Sequence, residues 1–86
     1  MKEFYYTYIL QSLRDKKFYI GFTNDIKRRL KEHKLGKNTS TSKRLPIELI
    51  YYEAFLNKED AKRREKYFKT SKGKIALRMM LREYLK

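Results

Sequence analysis

The stretch Lys17-Phe18-Tyr19-Ile20-Gly21-Phe22-Thr23-Asn24-Asp25-Ile26-Lys27-Arg28-Arg29-Leu30-Lys31-Glu32-His33-Lys34-Leu35-Gly36 decides how the rest of the chain is read. Lys17 to Gly21 is aromatic and β-branched, the composition of a strand. Thr23-Asn24-Asp25 then supplies short side-chain oxygens of the kind that accept the free N–H groups of a helix start. Gly36 is the residue type that closes a helix in the left-handed conformation. A strand over 17–21 and a helix over about 25–35 are therefore predicted.

Upstream, Phe4 to Gln11 alternates, with Phe4, Tyr6, Tyr8 and Leu10 on one side and Tyr5, Thr7 and Ile9 on the other. The polar break Ser12-Leu13-Arg14-Asp15 reads as a turn, so the two strands form an antiparallel hairpin. Setting Tyr8 opposite Tyr19 puts Leu10 opposite Lys17 and leaves a loop of Ser12 to Asp15. Both phenols then emerge on one face.

Downstream, Gly36 to Pro46 reads as an exposed basic loop, and Ile47 to Phe55, which alternates weakly, as a third strand. Asn57 caps a second helix that runs to about Lys69, with Asp60 at N3 in a loose capping-box arrangement. Thr70-Ser71-Lys72-Gly73 reads as an interruption before a third helix from about Lys74 to Leu85. The inward stripe of that helix is Leu77, Leu81, Tyr84 and Leu85. The order β-β-α-β-α-α describes an α/β (α+β) fold, a small three-stranded antiparallel sheet flanked by helices, in one domain over residues 1–86.

Charge narrows the function. Twenty-three Lys and Arg against ten Asp and Glu give a net charge of +13 in 86 residues. A field of that sign concentrates polyanions, and duplex DNA, structured RNA and anionic lipid all qualify. The absence of cysteine excludes a disulfide framework and a thiolate metal site. No apolar run reaches the ~18 residues of a membrane span, and the start lacks the layout of a signal peptide. A cytoplasmic location is the expectation.

Three groups of residues fit poorly with a purely structural role. On the first helix, Arg29 and His33 fall on the same side as the apolar anchors Ile26 and Leu30, whereas Lys27, Arg28, Lys31 and Lys34 point towards solvent. An inward Arg29 either pairs with an internal acid or snorkels out, or it meets a phosphate, with His33 one turn along to handle protons. On the second helix Glu65 lies between Ala61 and Phe68, too far from the N-terminus to be explained by the helix dipole. It is either half of an ion pair or a carboxylate aimed into a cleft to hold Mg²⁺. Tyr8 and Tyr19 are either packing residues or paired hydroxyls, and Gly21 permits close approach of a backbone or ligand.

With these residues in view, the chain resembles the GIY-YIG nucleases. Tyr19-Ile20-Gly21 matches one half of the name, and Thr23, Asp25, Arg29, Leu30 and His33 follow it in the order YIG-x-T-x-D-x-x-x-R-L-x-x-H. Tyr6-Thr7-Tyr8 stands where Gly-Ile-Tyr is expected, so only Tyr8 is kept, eleven residues before Tyr19. Ala61 to Lys69, containing Glu65, is similar to the family's metal-binding helix. The resemblance covers about Phe4 to Thr70 and is to short stand-alone bacterial members, related to the nuclease module of excision repair and to structure-specific resolvases. It implies a DNA endonuclease with one divalent ion, Mg²⁺ or Mn²⁺, and in-line attack of water on phosphorus, in DNA repair or recombination. Carried over by position, Tyr8 or Tyr19 orients or deprotonates the water, His33 assists, Arg29 stabilises the pentavalent phosphorus and Glu65 ligates the metal. A positive surround is expected to favour the tyrosine phenolate. DNA is expected as partner ahead of RNA, with Arg28, Lys37, Lys43 and Arg44 on its backbone. The protein is expected as a monomer or weak dimer, with a targeting protein as a further partner.

The competing reading is a non-catalytic basic module that binds DNA or RNA. Glu65 separates the two, because a carboxylate facing a polyanion repels it unless a cation bridges them. A membrane-coating role is disfavoured, because the helices lack the clean basic face of an interfacial anchor.

Overall fold

Burial on both sides of one strand organises the structure, a computed structural model that describes residues 3–86. Strand β1, Tyr5–Ser12, is buried continuously from Thr7 to Ser12. It lies between β2, Phe18–Thr23, and β3, Ile47–Phe55, antiparallel to both, in the order β2-β1-β3. Helix α1, Ile26–Lys34, follows β2, and helices α2, Lys58–Phe68, and α3, Ser71–Met80, follow β3. Tyr8 and Leu10 pack with Ile47, Ile26 and Leu30 on the α1 side. Ile9 packs with Phe68 and Leu77 on the side of α2 and α3. The element order and the three-stranded antiparallel sheet are those predicted. Met1, the first residue of the start considered above, and Lys2 lie outside the described residues.

The hairpin register differs from expectation. Tyr8 pairs with Gly21, and Tyr19 pairs with Leu10. The turn explains the shift. The Ser12 hydroxyl accepts from the N–H groups of Arg14 and Asp15 at 3.1 and 3.2 Å, and Ser12 N–H donates to the Lys17 carbonyl at 3.0 Å. Lys16 takes a left-handed conformation, φ 64°. The turn therefore absorbs residues 13–16 and not 12–15, and pairing moves by two residues. A two-residue slip keeps every side chain on its face, so the two phenols still share one.

Weak alternation along β3 has a physical cause. Ile9 pairs with Tyr51 but Leu10 with Leu49, so Ile50 is the extra residue of a bulge. Leu49 thus joins the cluster on the α1 side, while Ile50 and Tyr51 both pack on the other.

Helix α3 begins earlier and ends earlier than the predicted 74–85. Thr70 is its N-cap, its hydroxyl accepting from Gly73 N–H at 3.0 Å, so the apparent interruption is the cap and first turn. Gly73 lets α3 lie against the end of α2, since a Cβ there would come within 2.7 Å of the Phe68 Cα. Leu77 is fully buried and Leu81 packs beside it, but the helix stops at Met80. Tyr84 accordingly leaves the expected inward stripe and is 49% exposed, its hydroxyl donating to Gln11 Oε1 at 3.0 Å. On α2, Asn57 caps Glu59 N–H at 2.8 Å as expected. Asp60 does not complete the capping box; it pairs with Arg63 at 2.7 Å.

Candidate active site

Local chemistry at the start of α1 sets the direction of Arg29 and His33. Thr23 is buried, and its hydroxyl accepts from Asp25 N–H at 3.1 Å. Asp25 in turn is the N-cap, its carboxylate accepting from Arg28 N–H at 3.0 Å. The T-x-D part of the motif is thus a two-step cap that fixes the phase of the helix. Lys27, Arg28, Lys31 and Lys34 are exposed, Arg29 is half-buried and His33 is buried, as the helical spacing predicts. Gly36 closes the helix at φ +75°.

The Tyr8–Gly21 pairing builds the floor. A Cβ on Gly21 would lie 2.8 Å from Tyr8 Cε2 and closer still to Cζ and Oη. What approaches Gly21 closely is therefore the phenol of its own partner across the hairpin. Tyr8 Oη lies 3.1 Å from His33 Nε2, and His33 Nδ1 lies 2.7 Å from Thr41 Oγ1. The loop expected to be exposed is in this respect anchored: Thr41 has no solvent exposure. The same loop is held to the hairpin turn, where Ser12 Oγ donates to the Arg44 carbonyl at 2.7 Å.

Glu65 reaches the same place from α2. The Thr7 hydroxyl donates to the Ala61 carbonyl at 2.6 Å, and Ala61 is fully buried, so this helix is fixed against the centre of the sheet. One turn on, Glu65 faces a cavity of about 240 Å³ that Tyr8, Tyr19, Gly21, Arg29 and His33 also line, with Asn38 and Ser40 on its loop side. All five predicted side chains, from β1, β2, α1 and α2, meet there.

Acid and guanidinium share this cavity without pairing to each other. Glu65 Oε2 accepts from Lys69 Nζ at 3.0 Å. Arg29 Nε comes within 3.3 Å of Glu32 Oε1. That separation is within ion-pair reach, but alignment is too poor for a hydrogen bond, and among the described residues Arg29 Nε is a buried donor without a hydrogen-bond partner. A buried cationic donor left unmatched is costly, and a bound anion would satisfy it.

The proton affinities follow from burial first. Burial pushes the Tyr8 phenol above its ordinary value; Arg29 opposes this, and Glu65 and Glu32 add to it. The expectation that the positive surround favours phenolate is thereby corrected, because desolvation outweighs Arg29 in this cavity. Burial and Arg29 both push His33 below its ordinary value, against Glu32, so the ring is neutral at pH 7.

The donor set suits a hard divalent ion only in part. Among the described residues no group of three or more His, Cys, Asp or Glu side chains is placed to hold a metal. Magnesium, however, commonly takes one or two carboxylates and completes its shell with water and phosphate oxygens. The second oxygen of Glu65 accepts no hydrogen bond among the described residues, which leaves it free for such an ion.

The four residues assigned to the DNA backbone are placed less uniformly. Arg28 and Lys37 are exposed on α1 and just beyond it. Lys43 and Arg44 lie at the hairpin turn, away from the cavity lining. Arg14 Nη1 donates to the Lys43 carbonyl at 3.1 Å, and Arg44 pairs with Asp15 at 3.1 Å. Sequence reasoning missed Asn38, Ser40 and Thr41. Their only signal was a run of polar residues in a loop, which does not distinguish a site from solvent.

Comparison with known proteins identifies the family. The family model described as GIY-YIG catalytic domain matches residues 4–78. A UPF0213 protein of Streptococcus pneumoniae is 46% identical over 68 residues, covering 78% of this chain and 68% of the relative. UPF0213 proteins of Lacticaseibacillus paracasei and Streptococcus agalactiae are also 46% identical, over 66 and 65 residues, covering 76% and 74% of this chain and 73% of each relative. No solved structure matches the chain. Among the described residues no helix is long and apolar enough to cross a membrane.

Proposed function

The chain belongs to the GIY-YIG family of nucleases, and from that premise we propose that it is a Mg²⁺- or Mn²⁺-dependent endonuclease that hydrolyses phosphodiester bonds of DNA. One observation carries the proposal: Tyr8, Tyr19, Arg29, His33 and Glu65 line a single cavity in which the acid and the guanidinium are not paired to each other.

In this scheme Arg29 binds the scissile phosphate through its unmatched Nε–H and stabilises the charge that grows on phosphorus oxygens. Such preorganised donors are worth roughly 3–4 kcal/mol in a site that excludes bulk water. Tyr8 or Tyr19 orients the attacking water for in-line approach or, once its own proton has left to water in the cavity, takes the proton of the attacking water, and His33 supports Tyr8 through their hydrogen bond. Glu65 would hold the divalent ion, which when bound would supply Lewis-acid stabilisation of the phosphate and its departing oxygen. Arg28 on the exposed side of α1 and Lys37 just beyond that helix attract the backbone, and Lys43 and Arg44 do so at the hairpin turn. DNA repair or recombination, in the cytoplasm, is the proposed setting, with the protein a monomer or weak dimer brought to its substrate by another protein.

Labelled linear, flapped and four-way DNA incubated with Mg²⁺, Mn²⁺ or EDTA tests the proposal, with Glu65→Gln as control. Ion-dependent cutting that the variant lacks supports it. Salt-sensitive binding with no cutting under any ion refutes it in favour of a non-catalytic basic module.

A further inference from the structure

Three hydroxyl- and ring-bearing residues form a chain that begins inside the protein and ends at the cavity. Thr41 Oγ1 lies 2.7 Å from His33 Nδ1, and His33 Nε2 lies 3.1 Å from Tyr8 Oη. Two hydrogen bonds join three groups, and the neutral ring carries one N–H, so the direction of the whole chain is set by which end keeps a proton to spare.

The two ends are not equivalent. Thr41 has no solvent exposure, and among the described residues its hydroxyl has no partner but His33. If the ring donated from Nδ1, the Thr41 proton would be buried without an acceptor, at the full desolvation cost of that group. Tyr8 is different, because it lines the open cavity and its proton can meet water or a bound anion there. The chain is satisfied at every buried atom in one direction only: Thr41 donates to Nδ1, and Nε2–H donates to Tyr8 Oη.

We infer that Thr41 is a positioning residue that locks His33 in the Nε2–H form, so that His33 is a hydrogen-bond donor to Tyr8 and not the acceptor of its proton. The functional side of this inference rests on the nuclease proposal; the direction of the chain does not. A ring N–H directed at the phenol oxygen favours phenolate over phenol. It also points the Tyr8 proton into the cavity, so that the proton leaves to water there and the ring never takes it up.

His33 is the chain's single histidine, so ¹⁵N-labelled histidine gives one ring whose two nitrogens are read directly by NMR. The expected result at neutral pH is one Nε2–H tautomer in the wild-type protein. Thr41→Ser retains the hydroxyl and is expected to keep that tautomer, whereas Thr41→Val removes the donor and shifts the ring towards Nδ1–H or a mixture. A wild-type ring in the Nδ1–H form overturns the inference, with no variant needed; so does a Thr41→Val ring in a folded protein that matches the wild type. Cleavage assays on the same samples separate the two proposals. Absence of cutting by a wild-type protein with the Nε2–H signature refutes the nuclease proposal and leaves the hydrogen-bond direction established.

Discussion

Replacing Gly21 by alanine should damage catalysis through Tyr8 and leave the chain folded. The added methyl would sit 2.8 Å from Tyr8 Cε2, where ordinary contact begins at 3.4 Å, and nearer still to Cζ and Oη. The ring must therefore withdraw towards the cavity, and the 3.1 Å bond to His33 cannot survive that movement. Overpacking of this kind costs about 1–3 kcal/mol and the lost hydrogen bond about 1 kcal/mol more. Partial relaxation into the cavity brings the expected total to about 2 kcal/mol, a Tm lower by about 10 °C for a chain of this size. Displacing a reacting group by ~1 Å is expected to slow cleavage roughly 100-fold. Gly36→Ala is the control: at φ +75° it is strained, but among the described residues its Cβ meets only Leu45 Cδ1, at 3.5 Å. It should cost about 1 kcal/mol in stability and leave the cleavage rate unchanged. Single-turnover rates at a temperature where all three proteins are folded, with urea melts alongside, provide the comparison. A full rate in Gly21→Ala, or equal losses in the two variants, would refute the assignment of Gly21 as the space that Tyr8 requires.

Glu65→Gln should abolish ion-dependent cutting while DNA binding persists or tightens, because a negative charge facing phosphate is removed; a normal cleavage rate would end its assignment as metal ligand. Arg29→Ala should lose cleavage by two or more orders of magnitude, about the loss of one preorganised donor, whereas Arg28→Ala should weaken binding and flatten its salt dependence only. Equal effects of these two changes on the rate would refute the helix-face assignment. Arg64→Ala should lower stability by about 1.5–3 kcal/mol without slowing cleavage of the folded protein, since Arg64 holds Glu53 at 2.7 and 2.9 Å and lies 4.3 Å above the Phe68 ring, away from the cavity. For His33, whose proton affinity is depressed on folding, the unfolded chain binds the proton more readily than the folded one. Its contribution to stability is complete above the ordinary value of about 6.5 and falls as pH drops from there towards the folded value. Urea midpoints from about pH 5 to 7.5 should show this slope, and His33→Gln should flatten it; an unchanged slope would mean that another group carries it.

Much of the architecture was legible because it is determined over a few residues. Asp25 and Asn57 cap helices with side chains that reach N–H groups two or three residues on, and Gly36 ends one by its backbone conformation. Helical spacing alone separated Arg29 and His33 from the solvated Lys27, Arg28, Lys31 and Lys34. Such interactions need no knowledge of the rest of the chain, so the element order could be read directly. The hairpin register depended on a local choice among turn conformations, a left-handed Lys16 that moved pairing by two residues. Contacts beyond the segment decided the rest: pairing with β1 placed the bulge at Ile50 that broke the alternation of β3, and close backbone approach to α2 accompanies the early start of α3.

The order of residues along the chain singled out Tyr8, Tyr19, Arg29, His33 and Glu65 as chemically out of place, together with a charge suited to polyanions. It carried no distances between them, and those distances decide the chemistry. Only the folded sheet brings four elements to one cavity, gives Arg29 and Glu65 separate partners, and buries Thr41 behind His33. The reason is desolvation, which acts on a group only once every neighbour is in place. It leaves Tyr8 protonated against the positive field and makes one direction of the Thr41–His33–Tyr8 chain cheaper than the other.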